Sequence, residues 1–141
     1  MEKLDEKKIE EIAKKYNLKL LLLFGSQVFG KTHKMSDYDF GFISERKLGY
    51  PERSNLAHDF SLFVKSPNVE EIDLTEASPF LLKEIVKNNK VLFETNGAFA
   101  DFFSRAVRKY FEAKPFFRVQ NEIYAKKISQ YKKEHAQQRT D

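Results

Sequence analysis

The sequence predicts a small α/β (α+β) domain, a mixed β-sheet with flanking helices and a long C-terminal helical segment. Three observations predict it. Leu20 to Phe24 and Tyr38 to Ile43 have the dense apolar content of buried strands. Leu4, Ile9, Ile12 and Ala13 recur at helical spacing, and so does the apolar content from Ala98 onward. Between such stretches lie Gly, Pro and Asn, the residues that punctuate elements.

Taken in order, Asp5 to Tyr16 reads as a helix with Lys and Glu around its apolar stripe, ended by Asn17. Leu18 to Phe24 is the first strand. Ser26 to about Gly30 begins a short helix, and Ser36 to Ile43 is the second strand. Glu45 to Pro51 is a polar turn. Glu52 to Val64 is a helix carrying Leu56, Phe60 and Phe63, and Pro67-Asn68 breaks it. Val69 to Leu74 is a short third strand. Pro79 to Asn88 is a helix with proline in its first turn, where a missing N–H costs nothing. Lys90 to Thr95 is a fourth strand. From Ala98 to about His135 the pattern is helical, with a bend expected near Pro115.

A chain of 141 residues with 14 phenylalanines has ample material for one core. Residues 1–97 form that core, and 98–141 are a C-terminal helical extension of the same domain. No cysteine is present, which excludes disulfides and thiolate metal sites. The charged, amphipathic N-terminus is no signal peptide, and no apolar run spans a bilayer. The expectation is a cytoplasmic protein. Net charge is +4, and it is uneven: Arg105 to Asp141 holds ten Lys/Arg against four Asp/Glu, leaving −2 for residues 1–104. A basic tail fits an acidic partner or a solvated helix face. The three histidines are scattered and take no role.

The chemistry concentrates in Leu21 to Phe42. Gly25-Ser26 ends the first apolar run, ten residues (27–36) follow, and then come Asp37 and Asp39. On a strand these two acids share a face, while Tyr38, Phe40 and Phe42 share the other. Paired carboxylates on an apolar strand repel each other and are costly to bury, a conflict that an oxygen-loving divalent cation resolves. Gly25 allows close backbone approach and Ser26 offers a hydroxyl, both suited to phosphate oxygens. The pair of motifs describes a metal–nucleoside triphosphate site.

Gly-Ser, a ten-residue spacer and Asp-x-Asp resemble the signature of minimal nucleotidyltransferases of the DNA polymerase β superfamily. More narrowly, they resemble the antitoxins paired with HEPN-type ribonuclease toxins. Leu74 to Pro79 and Lys90 to Glu94 also look like family positions, so the resemblance covers roughly residues 8 to 95. It implies a nucleotidyltransferase fold, two Mg²⁺ ions held by Asp37 and Asp39, and ATP as substrate. Gly25 and Ser26 would contact phosphate, and Gly30 matches a family glycine that permits a tight helix-to-loop exit. Many relatives carry a basic residue where this chain has Phe29, a task that Lys31 or Lys34 would take over.

Members of the superfamily have a third acid on a neighbouring strand, as metal ligand or general base. Counting back from Ser78-Pro79 places it on Glu70, whereas alternation sets Glu70 with Ile72 and Leu74 on a core face and favours Asp73. Both candidates stay open.

The activity implied is transfer of AMP from ATP to a hydroxyl, by resemblance a tyrosine of a HEPN-type toxin. Neither a membrane nor nucleic acid is required. Two other readings compete: transfer to a small molecule, and a non-catalytic module that neutralises its partner by covering it. The apolar and aromatic side chains of the tail (Phe99, Phe102, Phe103, Val107, Tyr110, Phe111, Phe116 and Phe117) suit core packing or a partner-binding patch.

Overall fold

The structure, a computed structural model, describes residues 5–25 and 37–139. Among them the chain runs α1 (Glu6–Lys15), β1 (Leu18–Phe24), β2 (Tyr38–Ser44), α2 (Tyr50–Val64), β3 (Val69–Asp73), α3 (Pro79–Lys87), β4 (Asn89–Glu94) and α4 (Ala98–Arg139). Ser26, Phe29, Gly30, Lys31 and Lys34, and with them the short helix expected from Ser26, lie outside the described residues.

The four strands form one sheet in the order β3-β2-β1-β4. β1 pairs antiparallel with both β2 and β4, and β2 pairs parallel with β3. A parallel neighbour needs a crossover, and α2 supplies it. The sheet is therefore mixed, as the sequence predicts.

Both faces of the sheet are covered, which is why β1 is apolar at nearly every position. Leu21, Leu23, Phe40 and Phe42 face one layer, with Ile9 and Ile12 of α1 and Leu56 and Phe60 of α2. Phe40 stacks on Phe60 with ring centroids 4.1 Å apart. Leu20, Leu22, Phe24, Ile43 and Leu74 face the other layer, with Leu82 and Ile85 of α3 and Phe102 and Ala106 of α4. Gly41 fits this second layer because Leu74 leaves no room for more: a Cβ there would stand 2.8 Å from Leu74 Cδ2.

Side-chain caps set the helix starts. The Asp5 carboxylate accepts from the Lys7 amide at 3.0 Å, and the Ser78 hydroxyl accepts from the Leu81 amide at 3.2 Å ahead of Pro79. Tyr16, just past α1, donates its hydroxyl to Asp59 of α2 at 2.6 Å, and Lys15 pairs with the same oxygen at 2.9 Å. Burial, reinforced by that hydrogen bond, pushes the Tyr16 phenol up to about 12.

α4 has 42 residues and continues through Pro115. At 1.5 Å per residue it is roughly 60 Å long. Only its first turns bury against the sheet. Further along, Phe117 meets Phe80 of α3 edge-on at 6.1 Å. Val119, Ile123, Tyr124, Ile128 and Tyr131 are exposed. No helix among the described residues is long and apolar enough to cross a membrane.

Candidate active site

Three strands bring the predicted residues to one end of the sheet. β1 delivers Gly25 at its C-terminal end, where the antiparallel register sets Phe24 opposite Asp39 of β2. The parallel register of β2 and β3 then sets Asp39 beside Glu70. Alternation turns Asp39, Gly41 and Ile43 to the layer that also receives Ile72 and Leu74, so Asp39 and Glu70 share a face. Phe40 and Phe42, buried on the opposite side, hold β2 in that orientation.

The result is a tight acidic pair. The Asp39 carboxyl is pushed up to about 6, by burial first, then by the charge of Glu70, a hydrogen bond with it, and the charge of Asp37. Two carboxylates so close cannot both ionise without cost, and that cost adds to burial in raising Asp39. Asp37 stands exposed just before β2, near enough for its charge to act on Asp39.

Gly25 lies directly against this pair. It has φ of +80°, and a Cβ on it would stand 2.2 Å from Asp39 Oδ2. Only a glycine accommodates both the backbone conformation and the carboxylate.

Asp73 is placed elsewhere. It lies opposite Phe42 in the register, on the face away from Asp39 and Glu70. Its Oδ1 accepts from the Thr75 amide at 3.0 Å and from the Thr75 hydroxyl at 2.7 Å. It is buried, and its hydrogen bonds close the turn that leaves β3. The structure brings Gly25, Asp37, Asp39 and Glu70 together and leaves Asp73 out. Ser26 and Gly30 lie outside the described residues.

One residue that the sequence does not single out stands behind the site. Arg53 of α2 pairs with Glu71 Oε1 at 3.2 Å and donates to the Glu71 carbonyl at 3.3 Å. An arginine on a polar helix offers no sequence signal for this, because the contact depends on how α2 crosses β3.

Among the described residues no three acids are already spaced around a single cation. The donor chemistry nevertheless suits magnesium: two all-oxygen ligands held together at a cost that a divalent charge would remove, over a backbone cleared of Cβ.

Comparison with known proteins bears on the family and the fold. The family model described as polymerase beta, nucleotidyltransferase matches residues 7–98. Protein adenylyltransferase MntA of Shewanella oneidensis is 32% identical over 97 residues, covering 67% of this chain and 69% of the relative. Among solved structures, a chain of a toxin–antitoxin crystal structure with AMP-PNP superposes with a TM-score of 0.73 at 26% identity, over 86% of this chain and 99% of that one. A chain of a second structure, tri-AMPylated Shewanella oneidensis HEPN toxin in complex with MNT antitoxin, shares the fold with a TM-score of 0.69 at 24% identity. It covers 88% of this chain and 99% of that one.

Proposed function

The chain belongs to the polymerase beta nucleotidyltransferase family, and from that premise we infer that it is a protein adenylyltransferase acting as an antitoxin. Its substrate is ATP, and its acceptor is a hydroxyl, a tyrosine in our reading, on a HEPN-type toxin partner. The observation that carries the reading is the Asp39–Glu70 pair, set side by side by strand register with Asp37 adjacent and Gly25 beneath. The likeness to an adenylyltransferase and to a toxin–antitoxin structure with an ATP analogue supports the choice of nucleotide and partner.

In this reading the attacking oxygen forms a bond to the α-phosphorus, the bond from that phosphorus to the bridging oxygen breaks, and pyrophosphate leaves. Asp37 and Asp39, with Glu70 beside them, would hold magnesium. When bound, the metal neutralises triphosphate charge and lowers the pKa of the attacking hydroxyl. Glu70 is the third carboxylate, a ligand or the proton acceptor for the incoming hydroxyl. A phenol with a pKa of about 10 needs such help near neutrality. Gly25 and Ser26 are assigned to the phosphates, and Gly30 to the family glycine position between them and Asp37.

The test is to mix the protein with a HEPN-type toxin, the product of a neighbouring gene if that gene encodes one, together with ATP and Mg²⁺. The expected outcome is mass added to the partner in whole AMP units, pyrophosphate released, and ribonuclease activity falling as the mass rises. Equal inhibition without ATP, or with Asp37→Asn, would instead make the protein a covering module.

A further inference from the structure

We propose that Arg53 is a positioning residue that sets the gap between Asp39 and Glu70 from the opposite face of the sheet. The proposal rests on the reading of those two carboxylates as metal ligands. β3 is a five-residue edge strand whose only sheet partner among the described residues is β2, with Val69, Ile72 and, just after it, Leu74 packed into the two core layers. The Arg53 guanidinium supplies a further constraint. It grips Glu71 twice, through the side chain at 3.2 Å and through the main-chain carbonyl at 3.3 Å. Glu71 is the residue after Glu70, and its carbonyl belongs to the backbone that carries both. A grip on the carbonyl therefore passes directly into the position of the Glu70 carboxylate on the other face.

The fork is itself held in place. Its centre lies 5.8 Å from the centroid of the Phe42 ring, in the buried layer under α2. A weaker contact to Glu76 at 3.9 Å ties it to the turn that follows β3. Its Nε is buried without a hydrogen-bond partner among the described residues. Both Glu71 contacts come from one nitrogen, Nη2, while Nη1 faces Glu76. Lysine keeps the charge but has one nitrogen on a differently shaped stem, so it cannot hold Glu71 and Glu76 together as Nη2 and Nη1 do.

Residues that orient metal ligands without touching the metal typically change metal affinity about tenfold to hundredfold when altered. The experiment is direct Mn²⁺ binding to the full chain, followed by electron paramagnetic resonance without nucleotide, alongside thermal melts. Arg53→Lys should weaken Mn²⁺ binding about tenfold or more. Arg53→Ala should weaken it further, although removing a positive charge would by Coulomb's law alone tighten it. The opposite sign separates position from charge. Lys47→Ala, which breaks the exposed Lys47–Glu76 pair of the same network without touching β3, should leave Mn²⁺ binding unchanged. Should Arg53→Ala not fold, Arg53→Lys carries the test. Folded Arg53 variants that melt earlier but bind Mn²⁺ like the wild type would overturn the proposal and reduce Arg53 to a structural tie. No Mn²⁺ binding by the wild type itself would overturn this proposal together with the metal reading beneath it.

Discussion

Gly25 and Asp39 occupy adjoining space at the end of the sheet, so close that a single methyl group on Gly25 would stand 2.2 Å from the Asp39 Oδ2. The glycine therefore serves two ends: it turns the chain out of β1 at φ of +80°, and it leaves the carboxylate its place.

Gly25→Ala is expected to introduce both strain and displacement. The backbone conformation alone should cost about 1–3 kcal/mol. Moving Asp39 by an ångström should lower AMP transfer about 100-fold. Chemical denaturation and single-turnover assays check the two effects separately. An alanine variant with full activity would mean that Asp39 takes another rotamer in the working enzyme.

Asp39→Asn should abolish metal-dependent nucleotide binding while relieving the metal-free protein. The sign follows from the upward displacement of the Asp39 carboxyl to about 6. Its contribution to folding is present below the usual aspartate range and is lost as pH rises through about 6. In EDTA, the melting temperature of Asp39→Asn should therefore gain on the wild type between pH 4 and 7.5. A pH-independent difference would contradict the close acidic pair.

Glu70→Gln and Asp73→Asn should separate cleanly. Loss of a base or ligand at Glu70 should lower the transfer rate about 10²–10⁴-fold with little change in stability. Asp73→Asn weakens the hydrogen bonds to Thr75, so it should cost about 1 kcal/mol of stability and leave the rate within severalfold. Single-turnover rates and denaturant melts of the two variants decide this, and equal rate effects would remove the distinction.

Truncation after Lys114 removes the exposed apolar side chains of α4, from Phe116 to Tyr131, and much of its positive charge. Affinity for the HEPN-type partner should fall at least about tenfold, with ATP binding unchanged. Because truncation also removes Phe117 from its contact with Phe80, the milder Ile123→Ser and Ile128→Ser should be measured beside it. Unchanged affinity in all three would return this surface to a solvated helix face.

Much of the fold is legible in the sequence because its signals are local. The apolar run of β1 marks a strand covered on both sides, and Ser78-Pro79 marks the start of α3. The placement of the third carboxylate is not local. Alternation correctly groups Glu70 with Ile72 and Leu74 and separates them from Glu71 and Asp73. It does not reveal that both faces of the sheet are covered, so a polar face need not be the site face. The layer that buries Ile72 and Leu74 also receives Asp39, and only the β2–β3 register places Glu70 next to it. Arg53 is out of reach for the same reason, since its partner is set by the crossing of α2 over β3.

The parallel pairing of β2 with β3 also has a consequence for how the protein comes into being. Gly25, Asp39 and Glu70 emerge from the ribosome in that order, with the whole of α2 between the last two. A nascent chain that stops short of β3 can make the β1–β2 hairpin, but it has no third acid. Contacts between distant segments form late because closing the intervening loop must come first. The centre should therefore be acquired in one late step, when β3 docks, and an incomplete chain should be unable to consume ATP.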